Sequence, residues 1–221
     1  MERMMRSTWW KWLTLGILLY TFVGGFLFEV PRLPILNETI RVLHFHVPMW
    51  FGMIIIFGFS VYYGIRYLRS GNLKYDLYSS QLVSVGLLFG FLGLATGMVW
   101  ATFTWGEPWS NDPQQNASAI GILTYCAYMI LRGSIEDDHQ KARLASIYAI
   151  FAFALLIPLL FILPRMTDSL HPGSGGNPGF NSYDLDSNLR IVFYPAVIGW
   201  TLLGFWISTI KIRVALLNFY D

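Results

Sequence analysis

Six apolar runs, each close to the length of a membrane-spanning helix, constrain this 221-residue chain more than any other feature. A spanning helix needs roughly 20 mainly apolar residues to cross the hydrocarbon core. In lipid each backbone N–H and C=O must be bonded within the segment, so such runs become helices. They lie at about 9–28, 46–66, 80–103, 115–132, 143–164 and 190–211. The fourth is the weakest, because its clean apolar part, Ala119 to Leu131, is short and must recruit Asn116 and Ser118. Charged residues make up 13% of the chain, against about 25% in an average soluble domain. The expected class is an all-α integral membrane protein, one six-helix domain over residues 1–221. The first run is too long for a signal-peptide core and lacks a small-residue cleavage site after it, so it is expected to stay as a helix.

The joining segments carry turn and charge signals, as at Pro31 to Pro34, Arg69 to Lys74, Gly133 to Asp138 and Pro172 to Pro178. With six helices both termini share one side. Eleven of the fifteen Lys and Arg fall on that side: at the N-terminus, the second and fourth loops and the C-terminus. Arg32, Arg41, Arg165 and Arg190 fall on the other. The positive-inside rule then predicts cytoplasmic termini. The first, third and fifth loops face outward, including an external loop at about 100–116 and another at about 165–189.

This orientation gathers three features on the outer face. His46 lies at the start of the second helix, where Pro48 marks a first turn that tolerates a missing N–H. His171 opens a Pro- and Gly-rich loop. Between them in sequence runs Trp100 to Asp112, with indoles at Trp100, Trp105 and Trp109. Interfacial amphipathicity explains one or two tryptophans. Three of them interleaved with Gly106, Pro108 and Pro113 read better as an apolar shelf held by a turn. Imidazole is a good ligand for haem iron, and indoles suit a flat apolar macrocycle. A haem site with His46 and His171 on the two faces of the ring is the expectation. Against it stand duller readings: an interfacial His46 without a ligand and a solvated loop His171. Asp112 either hydrogen-bonds an indole N–H or caps the fourth helix. Arg41, five residues before His46, is the best candidate for the haem propionates, with Arg165 and Arg190 as alternatives.

Other features carry less. His44 reads as structural or as a second-choice ligand, and His139 falls on the inner side beside the acidic run Glu136 to Asp138. Met49, Met53 and Cys126 read as packing residues. A single cysteine excludes an internal disulfide. Gly-rich phosphate loops, Ser/His/Asp sets and metal-type Cys/His spacings are missing from the sequence. A nearly charge-free membrane interior leaves little for an ion-driven transport path.

Three segments resemble the CcmC/CcsA-like family of haem-handling membrane proteins with a tryptophan-rich WWD loop, and the CcmC branch in particular. Arg41-Val-Leu-His-Phe-His46-Val-Pro48 is similar to its first axial-histidine motif. Thr96-Gly97-Met-Val-Trp100 followed by Trp105-Gly106-Glu-Pro-Trp109-Ser-Asn-Asp112 is similar to its WWD segment. Leu170-His171-Pro-Gly173-Ser174 is similar to its second axial-histidine motif. The resemblance implies a bacterial inner-membrane protein of cytochrome c maturation that binds haem b, transiently and non-covalently, on its periplasmic side. It implies transfer of that haem to the chaperone CcmE alongside CcmA, CcmB and CcmD, as a presenter more than an enzyme. Asn111 and Gln114 depart from the family pattern, which has a tryptophan before the aspartate and a basic residue two positions after it. That implies a narrower shelf and altered propionate or partner contacts. Two other functions stay open: a haem-lyase component acting on apocytochrome c, and a haem-free membrane assembly or transport subunit.

Overall fold

The computed structural model describes residues 1–32, 36–171 and 185–220. Among these, every regular element is helical. A short α1 (Glu2–Arg6) precedes α2 (Trp9–Leu27), and a 3-10 segment (Asn37–His44) leads into α3 (His46–Ser70). Then follow α4 (Leu73–Trp105), α5 (Pro113–Gly133), α6 (Asp138–Ile157) and α7 (Ser187–Tyr220). Five segments are long and apolar enough to cross a membrane: Trp9–Leu27, Asn37–Ser70, Leu73–Trp105, Asp138–Arg165 and Ser187–Leu217. The chain is thus an all-helical, multi-pass membrane protein. The 21-residue α5 falls outside that set, since polar side chains from Gln114 to Ser118 dilute its first turns.

Both ends of α4 and the end of α3 lie beyond the apolar runs because caps, not hydropathy, set them. Asn72 accepts the Lys74 amide at 3.0 Å and starts α4 seven residues before the apolar run. Gly71 stops α3 with φ of +67°, and Gly106 stops α4 with φ of +87°. Both adopt the left-handed conformation that a Cβ disfavours.

The two-residue turn between α3 and α4 also sets their register. Phe57 of α3 lies against Gly86 of α4, Met53 against Gly90, Trp50 against Gly93 and His46 against Gly97. The two members of each pair stand equally far from the Gly71–Asn72 turn, one on either side. A Cβ added at Gly90, Gly93 or Gly97 would come within 2.9, 2.8 and 2.7 Å of the opposing side chain. The four glycines therefore form a furrow that seats a ridge of bulky groups. Close approach through small residues is how helices associate where lipid removes the hydrophobic drive between them.

The other helices pack around this hairpin. Tyr125 of α5 is fully buried and stacks on Phe57 with ring centroids 3.6 Å apart. Ala142, Ala145, Ala149 and Ala152 bring α6 against the core, and Ser146 meets α3 at Gly64. Gly204 of α7 accommodates Ile56. At the end of the bundle that holds the α3–α4 turn, Arg132 of α5 pairs bidentately with the buried Asp76 of α4, at 2.7 and 2.6 Å. Pro158 lacks an N–H and clashes with the preceding turn, so α6 continues as a π-helical turn (Pro158–Ile162) and a 3-10 turn (Leu163–Arg165). This irregular end forms part of the cavity described next.

Overpacking a filled furrow costs about 1–3 kcal/mol. Gly86→Ala should lower stability by about that much, read as a fall in thermal unfolding midpoint in detergent. Adding Phe57→Leu should return part of the loss. A midpoint unmoved by Gly86→Ala would mean that the furrow is not filled.

Candidate functional site

The α3–α4 furrow ends at His46, the first residue of α3. Its ring is confined by Gly97 on one side and lies edge-on to Trp50, centroids 6.2 Å apart. His46 Nδ1 is 3.0 Å from Thr96 Oγ1. The single hydroxyl proton of Thr96 is directed at the Leu92 carbonyl, 2.8 Å away, and the Gly93 carbonyl at 3.1 Å. With that proton on the helix carbonyls the hydroxyl oxygen accepts from Nδ1–H, which leaves the Nε2 lone pair open. This is the tautomer required for ligation through Nε2.

The chain leaves α4 at Gly106 and re-enters a helix at Pro113. Asp112 caps that helix, accepting the Gln114 and Gln115 amides on Oδ1 at 2.8 and 3.4 Å. The same oxygen is 2.8 Å from His171 Nδ1. Its other oxygen accepts the Ser169 hydroxyl and the Leu170 amide, each at 2.7 Å. Burial opposes charge on Asp112, but the hydrogen bonds from His171, Ser169 and Leu170 outweigh it and hold the carboxyl well below the usual carboxylate range. Trp105 meets the His171 ring edge-on at 4.8 Å, and Trp100 lies 6.1 Å from it. Gln115 ties the loop down, accepting the Ser110 amide at 3.0 Å and donating to the Pro108 carbonyl at 3.2 Å.

His46 and His171 line one cavity of about 250 Å³. Its walls are mostly apolar, with Val47, Trp50, Phe51, Trp100 and Trp109 among them, and Gln114, Gln115 and Arg165 supply polar groups. Two imidazoles from separate elements, an apolar cleft for a flat ring and a cation for carboxylates match the donor chemistry of haem. The residues present therefore fit that group.

The expected site residues do not all take the same part. Trp100 and Trp109 line the cavity, whereas Trp105 backs His171 instead. Gly106 is the cap of α4. Asp112 reaches no indole; it both caps α5 and holds His171. Arg41 is turned away, donating to the Gly25 and Phe28 carbonyls at 3.1 and 2.7 Å and pairing with Glu38 at 2.6 Å. The end of α2 leaves those carbonyls open, and a nearby arginine satisfies them. Arg165 lines the cavity where Arg41 does not. His44 is buried beside Gly25, outside the cavity. Sequence reading named Thr96 only as the first residue of a motif, with no role of its own, and did not single out Ser169 or Gln115. One signal for Thr96 was available: it sits one helical turn before Trp100 on the same helix. Pro172 to Ser174 of the second histidine motif, and most of the loop expected at about 165–189, lie outside the described residues.

Residues 2–219 match the sequence profile of the CcmC family, described as heme exporter protein C. The chain is 27% identical to heme exporter protein C of Bradyrhizobium diazoefficiens over 175 residues, which is 76% of this chain and 63% of that protein. It is 23% identical to heme exporter protein C of Haemophilus influenzae over 182 residues, covering 82% of this chain and 73% of that one. It is 31% identical to the cytochrome c biogenesis protein CcsA of Pelargonium hortorum over 113 residues, covering 51% and 35% respectively.

Because its folded carboxyl is shifted downward, Asp112 stabilises the fold above its unfolded range, about pH 4, and this contribution is lost as pH falls. Asp112→Asn keeps a capping oxygen but removes the charge. The gap in unfolding midpoint between wild type and variant should be open at about pH 6 and narrow steadily below about pH 4. A gap that stays constant across that range would refute the assignment.

Proposed function

This chain belongs to the CcmC, heme exporter protein C, family, and on that footing we propose that it holds haem between His46 and His171 and presents it to a CcmE-type chaperone. Membership of the family supports haem handling in cytochrome c maturation. The observation that carries the finer reading is that both imidazoles line one apolar cavity, each with Nδ1 engaged by a protein oxygen. Haem, when bound, would supply an iron for the His46 and His171 imidazoles to hold. Trp100 and Trp109 would give its apolar ring a surface within the cavity, Trp105 keeps His171 in its orientation, and Gly106 with Asp112 fixes the loop ends. Arg165 replaces Arg41 as the partner of the propionates. The haem is haem b, held without a covalent bond to the protein so that it can leave.

In this reading α5 is a sixth crossing. Its burial of Ile122, Tyr125 and Tyr128 in the common core supports that. Both termini then lie in the cytoplasm of a bacterial cell, with the site on the periplasmic side of the inner membrane. CcmA, CcmB and CcmD are the expected companions. The likeness to CcsA over about half the chain favours a second reading, a haem lyase that acts on apocytochrome c directly. Co-purification with apocytochrome rather than with the chaperone would select it.

The test is the Soret band of protein purified from haem-replete cells. Wild type should be coloured with a six-coordinate low-spin spectrum. His46→Ala and His171→Ala should each lose haem or shift to a five-coordinate form. A colourless wild type, or variants with unchanged spectra, would defeat the proposal.

A further inference from the structure

We propose that the two histidines are unequal ligands, with Asp112 making His171 the retained one and Thr96 leaving His46 the exchangeable one. The inference rests on the reading that both ligate haem iron. A group that accepts a hydrogen bond from the far nitrogen of an iron- or zinc-bound imidazole controls how strongly the near nitrogen donates. An ionised acceptor draws the Nδ1 proton and enriches the ring; a neutral one does so much less, and charge-assisted hydrogen bonds are about twice as strong as neutral ones. His171 faces a carboxylate at 2.8 Å. That carboxylate is almost fully shielded from solvent, and backbone and hydroxyl donors around it, from Gln114, Gln115, Ser169 and Leu170, fix its position. His46 faces uncharged groups, the Thr96 hydroxyl at 3.0 Å and the Gly93 backbone carbonyl.

The supports differ in the same direction. His46 is the first residue of α3, and its ring is hemmed in by Gly97 and Trp50. It cannot follow a cargo that shifts toward a partner, so its bond to the iron is the one that opens. The ring of His171 is held by charge and by the edge of Trp105. Thr96 and Asp112 are thus positioning residues that grade the two ligands. Gradation suits a protein that has to hold its cargo and also surrender it.

The experiment uses the full-length haem-loaded protein. Imidazole is titrated while the Soret band and low-spin signals are followed, and the haem midpoint potential is measured separately. Thr96→Val should lower the imidazole concentration for half-exchange by about 10-fold, with Thr96→Ser restoring the wild-type value. Asp112→Asn retains an N-cap acceptor; it should raise the midpoint potential and alter half-exchange less than Thr96→Val does. An unchanged potential in Asp112→Asn would overturn the inference, and so would easier exchange there than in Thr96→Val. Failure of the underlying reading has a different signature, since haem would then be missing from the wild type or indifferent to His46→Ala and His171→Ala.

Discussion

The seating of Phe57, Met53, Trp50 and His46 in the furrow of Gly86, Gly90, Gly93 and Gly97 is the contact on which the rest of the structure depends. In a bilayer there is no gain from hiding apolar groups from lipid, so close packing must supply the association energy. Glycine allows α4 to approach α3 closely along most of its length. The core then forms around that pair: Tyr125 stacks on Phe57, Ile56 fits at Gly204, and the alanines of α6 close the remaining side. His46 is the last of the four seated residues. Its aim is a product of the same packing that holds the bundle together.

The second histidine is placed by a different physics. Asp112 is a helix cap, which any helix start needs, and its spare hydrogen-bonding capacity is spent on His171 and the residues just before it. One carboxylate thereby joins the start of α5, the end of the tryptophan loop and the approach to His171. Gln115 reinforces the joint from one residue inside the helix. Packing positions one histidine and a polar network positions the other, and the apolar cavity between them connects the two.

Much of this was legible in the sequence. Hydropathy found all six long helices, because apolar runs of about 20 residues have few other fates. The charge distribution pointed to one side for His46, His171 and the tryptophans, and the structure gathers them around one cavity. Hydropathy misjudged helix ends, since Asn72, Gly71 and Gly106 act through caps that carry no apolar signal. It also favoured Arg41 for its closeness in sequence to His46, with no means of foreseeing that open carbonyls at the end of α2 would claim its guanidinium. The role of Thr96, as distinct from its place in a motif, was hidden for a related reason. Its importance lies in where its one proton goes, and that depends on its own helix backbone. The glycine spacing of four, three and four was present in the sequence, but it acquires meaning only beside the matching spacing on α3.

The two-residue turn at Gly71 and Asn72 leaves α3 and α4 with no slack. Each seated pair is equidistant from it, so inserting or deleting one residue in either helix would swing everything beyond that point about a third of a turn out of alignment. His46, at the far end, would be carried with it. Change in this half of the molecule is therefore confined to substitution or to compensated changes of length in both helices at once. Related chains should differ freely in their loops, while the distance from this turn to the histidine that begins α3 keeps its length.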